Sequence, residues 1–139
     1  MKLITYGCGN KFNSRKFKPI KNIRHVKPEG GLWASPVNST YGWREWCKDE
    51  NFGDFSSSFE FEFTGNIFVI DRQEDAFRML WLTYFGSIEY PDFEEMVLRG
   101  YDAIWLTNKG QVETRFGRPS LYGWDCESVL IMNPSCIRV

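Results

Sequence analysis

The chain of 139 residues sets 17 lysines and arginines against 18 aspartates and glutamates, a net charge of −1, and 42% of its residues are hydrophobic. So even a balance excludes a global field that would draw the chain to nucleic acid or acidic membranes. The length suits a single domain, residues 1–139, able to bury about two thirds of its unfolded surface.

Residues 2–6, Lys-Leu-Ile-Thr-Tyr, predict a first strand closed by Gly7 and Gly9. The loop 11–27 follows, carrying Lys11, Arg15, Lys16, Lys18, Lys21, Arg24 and Lys27 with no acid among them. It is either a solvated surface or a site for phosphates, whether of a dinucleotide or of a nucleic acid. Residues 30–35 predict a second short strand. Residues 38–51 predict a short helix, with Asn38, Ser39 and Thr40 as candidate caps and Tyr41, Trp43, Trp46 and Cys47 at helical spacing. Residues 57–71 alternate through Phe59, Phe61 and Phe63, turn at Thr64-Gly65-Asn66 and run on from Ile67 to Ile70, which predicts a hairpin or one bulged strand.

Residues 73–85 place Ala76, Phe77, Leu80, Trp81 and Tyr84 at helical spacing, a core-facing stripe. Residues 91–100 predict a second helix with Pro91 at its start and Gly100 past its end. Residues 101–107 predict a strand, 108–125 a turn-rich excursion with a hairpin, and 126–139 a final strand with its turn. Cys8, Cys47, Cys126 and Cys136 lie too far apart for a CxxC zinc or redox pair, so no metal site is expected. With no apolar run of transmembrane length and no signal-like N-terminus, the expectation is a cytoplasmic protein with reduced thiols and no membrane partner. The single His25 rules out a mechanism that needs two histidines.

Glu127 is out of place on burial alone: a carboxylate at the head of an apolar strand costs free energy unless it stands at an edge or a cleft. That strand runs into Asn133-Pro134, and upstream stand Gly31-Leu32-Trp33-Ala34-Ser35 and then Ser39 and Tyr41. In this order the residues resemble the ADP-ribosyltransferase superfamily, whose members carry a Gly-aromatic strand, hydroxyls and a tyrosine in the helix after it, and a late glutamate opening a strand that ends in an Asn-Pro or Asp-Pro turn. Gly100 to Thr107 is similar to a strand found before that glutamate in small bacterial and phage members.

The resemblance implies an α+β fold of split antiparallel β-sheets flanked by short helices, and NAD as co-substrate. It makes Glu127 the catalytic residue. Tyr6, Gly7, Gly31, Leu32, Trp33, Ser35, Ser39 and Tyr41 become the NAD-binding set, with Trp33 and Tyr41 flanking the nicotinamide ring and Gly30 and Gly31 letting the backbone approach its carboxamide. Cleaving the nicotinamide bond builds positive charge at the ribosyl centre, which a carboxylate stabilises. In the family the first strand ends in His-Gly or Arg-Gly, whereas here Tyr6 precedes Gly7. A tyrosine hydroxyl can bond a ribose but brings no charge for the diphosphate. Either Arg24, His25 or Lys27 supplies that charge, or the site binds NAD weakly or not at all.

Three activities follow from the resemblance: ADP-ribosyl transfer from NAD to a macromolecule, as in a phage or bacterial effector acting on a host or defence component; NAD hydrolysis; or binding and inhibition without catalysis. The acceptor is not specified. The position two before the glutamate, which helps choose it in toxin-like relatives, is Asp125 here.

Overall fold

The computed structural model describes residues 1–139 apart from residues 52, 54, 85 and 87. Its first half contains β1 (Lys2–Tyr6), β2 (Leu32–Pro36), α1 (Trp43–Asp49), β3 (Ser58–Phe63), β4 (Ile67–Ile70) and α2 (Gln73–Arg78). Then come β5 (Trp81–Tyr84), β6 (Ile88–Pro91), α3 (Phe93–Leu98), β7 (Ala103–Leu106), α4 (Asn108–Thr114), β8 (Ser128–Ile131) and β9 (Ile137–Arg138). The protein is thus a mixed α+β domain. Seven strands form one sheet in the order β4-β7-β8-β2-β1-β3-β9, and β5 and β6 pair separately. The ladders are antiparallel except that between β4 and β7, which is parallel.

β2 is the seam of the large sheet. Leu32, Trp33 and Ala34 pair with β8, whereas Ser35 and Pro36 pair with β1. The central strands bury both faces, because alternate residues enter two different cores. Ala103, Val129 and Ile131 join Leu32, Ala34, Leu3 and the three β3 phenylalanines in one. Ile104, Leu106 and Leu130 join Met79, Phe93, Met96, Leu121 and Trp124 in the other. Two-sided burial is why β8 is apolar at nearly every position, while β3, with Glu60 and Glu62 exposed, alternates strictly. Each fully buried leucine, isoleucine or phenylalanine contributes about 1.5–3 kcal/mol, so these alternations hold the register firmly.

Four local expectations are corrected. β3 and β4 form neither a hairpin nor one bulged strand. Asp102 receives the backbone N–H of Asn66, and the chain leaves β3 to lay β4 parallel to β7 at the sheet's far edge. The helix expected over 73–85 stops at Arg78. Met79 caps it through Ala76, the Trp81 indole N–H also donates to the Ala76 carbonyl, and Trp81–Tyr84 then pair with β6. Phe77, expected in the core, is 62% exposed, and Phe85 lies outside the described residues. The expected excursion at 108–125 opens with α4 instead of a hairpin. Thr107 caps that helix by accepting the Gly110 N–H, and a side chain at Gly110 would strike the Ile70 carbonyl oxygen at 2.0 Å. The helix expected from residue 38 begins at Trp43, whose N–H is received by Ser35 rather than by Asn38, Ser39 or Thr40. α3 with Gly100 beyond it, β7 and the Asn133-Pro134 turn lie where the sequence put them, although Pro91 ends β6 and Asp92 caps the helix. No helix among the described residues is long and apolar enough to cross a membrane.

Asp102 latches three segments at the foot of β7. Its carboxylate accepts from the Asn66 N–H at 2.7 Å and the Asn133 side-chain amide at 2.8 Å, and its carbonyl accepts from Met132 and Asn133. Burial alone would raise its pKa, but the donors of Asn66 and Asn133 outweigh it and the net shift is downward. Because the folded pKa lies below the unfolded one, this contribution is complete above about pH 4 and is lost as pH falls through the depressed value. Asp102→Asn is expected to lower the melting temperature at neutral pH, through one poorly satisfied donor worth about 1–3 kcal/mol. It should then lose less further stability than the parent on acidification. Melting curves of both proteins across the acid range test this, and parallel pH profiles would exclude the latch.

Candidate functional site

The hydroxyl-rich passage from β2 to α1 meets the residue before β8, and that meeting builds the site. Glu127 is 7% exposed, yet both carboxylate oxygens are engaged: Oε1 accepts the Ser39 hydroxyl at 2.6 Å and Oε2 accepts the Trp105 indole N–H at 2.9 Å. Its main chain is held equally closely. The Glu127 N–H donates to the Tyr41 carbonyl at 3.0 Å, and its carbonyl accepts the Ser35 hydroxyl at 2.8 Å. Ser35 also receives the N–H of Trp43, so one buried hydroxyl ties the start of α1 to the head of β8. A carboxylate so deep is tolerable because two donors replace lost water.

Glu127 and Ser39 line a cavity of about 630 Å³ together with Thr40, Trp105 and Asn108. The Asn108 amide donates to the Thr40 hydroxyl at 3.0 Å and closes one side of it. Tyr6, Gly7, Gly31, Leu32 and Trp33 line a second cavity of about 330 Å³, whose wall is completed by Trp43 and Cys47. Between the two lies a crevice of about 20 Å³ bordered by Tyr6, Ser35 and Ser39, with room for about one water. Seven of the nine sequence-predicted site residues therefore fall into two groups that meet at the seam of the sheet, and Ser35 borders only the crevice. Tyr41 belongs to neither group through its ring.

Trp33 is wedged between Trp43 and Trp124, edge to face at 6.0 and 4.8 Å. Lys27 Nζ lies 5.7 Å from the Trp33 ring and 5.3 Å from that of Trp43, and pairs with Asp125 at 3.5 Å. Of the three cations considered for a diphosphate, Lys27 alone borders these rings. Arg24 stacks over Tyr84, and His25 Nδ1 accepts the Lys27 N–H. The Trp43 indole N–H is buried with no acceptor among the described residues. Burial raises the pKa of Tyr6, with Arg44 opposing the shift and Glu45 and Glu60 adding to it, so the phenol stays protonated at neutral pH. Burial also pushes the Cys126 thiol up to about 12, which leaves it a poor nucleophile.

Gly30 and Gly31 have φ of +83° and +75°, and that freedom serves the chain's own packing. A Cβ on Gly30 would meet the Pro19 carbonyl oxygen at 2.2 Å, and one on Gly31 would meet that of Ile131 at 2.9 Å. Tyr41 turns its ring away, with the hydroxyl donating to Asp49 at 3.1 Å. A ring 36% exposed has little core to lose. Tyr41→Ala is expected to cost under about 2 kcal/mol, against about 3–5 for a core aromatic. Chemical denaturation decides, and a loss in the larger range would make Tyr41 a core residue.

Trp105 and Asn108 were not singled out from the sequence. The signal for Trp105 was an indole in a short strand, which needs an acceptor when buried. Only the register of β7 against β8, which pairs Trp105 with Val129, aims it at Glu127. No known protein family, no curated protein and no solved structure matches the chain.

Proposed function

We propose that the protein cleaves the nicotinamide–ribose bond of NAD and transfers ADP-ribose to a macromolecular acceptor, with Glu127 as the catalytic carboxylate of an ADP-ribosyltransferase-like fold. The observation that carries this reading is the setting of Glu127: a buried carboxylate, fixed by Ser39 and Trp105, at the wall of a large cavity beside β2, where the sheet passes from β8 to β1. Structural carboxylates of this depth are usually paired with a cation, and this one is bonded to neutral donors that leave its charge uncompensated. An uncompensated negative charge is what a developing cation needs.

NAD supplies a glycosidic bond whose cleavage places positive charge on the ribose carbon. Glu127 faces that charge. Ser39 and Trp105 hold the carboxylate in one orientation, so little reorganisation accompanies the reaction. The aromatic cavity suits a flat heteroaromatic ring: Trp33 and Trp43 line it, and Lys27, close to both rings, supplies the positive charge that Tyr6 lacks. Tyr6 lines the aromatic cavity and Ser39 the cavity at Glu127, so each offers a hydroxyl to a ribose seated in its own cavity.

A second reading, a non-catalytic binding protein on the same fold, is favoured by one observation. The rings and the carboxylate line different cavities, and the crevice that shares lining residues with both has room for about one water. Incubation with NAD labelled in the adenylate moiety separates the alternatives. Label on protein or nucleic acid supports transfer, free labelled ADP-ribose with nicotinamide marks a glycohydrolase, and intact NAD leaves the binding protein.

A further inference from the structure

The loop between α4 and β8 sorts its apolar residues into two opposite sets. Leu121 and Trp124 are 1% exposed, whereas Phe116 is 83% and Tyr122 56% exposed. The outward set is not the product of a slack backbone. Thr114 accepts the N–H groups of Gly117 and Leu121, Ser120 bonds both the Arg115 carbonyl and the Tyr122 N–H, and the Gln73 amide holds the Pro119 carbonyl. On this built loop the Phe116 and Tyr122 rings lie 5.7 Å apart, and the Arg115 guanidinium sits 5.7 and 5.0 Å from their centres. Arg118 is exposed beside them, and no acid occurs from Thr114 to Trp124.

The end of the basic segment, Val26 and Lys27, is docked against the same loop. The Trp124 indole donates to the Val26 carbonyl at 2.6 Å, Lys27 pairs with Asp125, and Gly123 passes so close to Val26 that a Cβ would lie 2.8 Å from its methyl. Residues 11–27 contain no acid, and Lys11, Arg15, Lys16, Lys18, Lys21 and Arg24 are exposed. Two exposed rings in an arginine-bearing loop thus stand next to the end of a cationic run, on a chain whose net charge is −1. Rings offer faces for stacking and cations offer charge for phosphates. A duplex hides its base faces, so the combination selects unpaired bases.

We propose that the loop 115–123, with the adjoining basic segment, binds single-stranded nucleic acid, Phe116 and Tyr122 stacking on bases while Arg115, Arg118 and the basic segment meet phosphates. The proposal stands apart from NAD chemistry, since binding is measured without NAD. The full chain is titrated into labelled oligothymidylate and oligouridylate of about 12 nucleotides, and into a duplex of the same length, at several ionic strengths, with anisotropy as readout. Tighter binding of either single strand than of the duplex, falling steeply with salt, is expected. Phe116→Ala with Tyr122→Ala should weaken it about tenfold or more with an unchanged salt slope. Arg115→Gln should flatten the slope by about 0.7 unit. Melting curves confirm that the variants fold. No binding to either strand at low salt, or binding that the ring substitutions leave unchanged, overturns the proposal.

Discussion

Glu127→Gln is expected to abolish nicotinamide release from NAD, by about a hundredfold or more, while the protein keeps its fold. The structural half of this expectation comes from the two donors on the carboxylate. The Trp105 indole N–H can only donate, so the new amide must turn its oxygen toward it. The amide nitrogen then faces the Ser39 hydroxyl, which can rotate from donating to accepting. Both bonds survive with their roles adjusted, and one charge fewer is buried. The catalytic half follows from the same geometry, since the substitution removes the negative charge and leaves shape, register and neighbours in place. Nicotinamide release and melting temperature measured on the same preparations give the answer. Undiminished turnover in a folded variant would remove Glu127 from catalysis and with it the reading of the fold as a transferase.

The strands that were legible in the sequence are those whose burial leaves a simple pattern. β1 is a compact run bounded by glycines, β7 and β8 are apolar because both faces are covered, and the Asn133-Pro134 turn carries its own punctuation. What was not legible is partnership. The alternation of Phe59, Phe61 and Phe63 specifies a strand with one buried face but not that its neighbours are β1 and β9 rather than β4. In 73–85 the spacing of Ala76, Leu80, Trp81 and Tyr84 satisfied a helical period over a stretch too short to exclude an extended one. Pairing with Ile88–Pro91 decided the matter for Trp81–Tyr84. At the site, the proximity of Ser39 to Glu127 was implied by the order of motifs, whereas the contribution of Tyr41 turned out to be a carbonyl rather than a ring. A main-chain contact leaves no trace in residue identity, so no reading of side chains could have found it.

Trp124 is where fold and site are most strongly joined, and Trp124→Ala is expected to be the most destabilising single change considered. The indole is 1% exposed in the core formed with α2 and α3, packs edge to face on Trp33 at 4.8 Å, and donates to the Val26 carbonyl at 2.6 Å. Truncating such a side chain costs about 3–5 kcal/mol, a large share of the roughly 5–15 that stabilises a domain of this size. Trp124→Phe separates the contributions: it keeps most of the packing and loses the N–H, so it should cost about 1–3 kcal/mol, chiefly for the stranded Val26 carbonyl. Denaturant unfolding of the three proteins gives these differences directly. The contact with Val26 adds a readout that packing alone does not predict. With the indole gone, residues 24–27 keep the Lys27–Asp125 pair but lose the hydrogen bond that fixes the main chain at Val26 beside it. Trypsin should then cut after Arg24 faster in both variants than in the parent, under conditions where each remains folded. Equal cleavage in all three would mean that Trp124 supports the core alone and that the basic segment is held from elsewhere, through the carboxylates of Asp92 and Glu94 that receive Asn22.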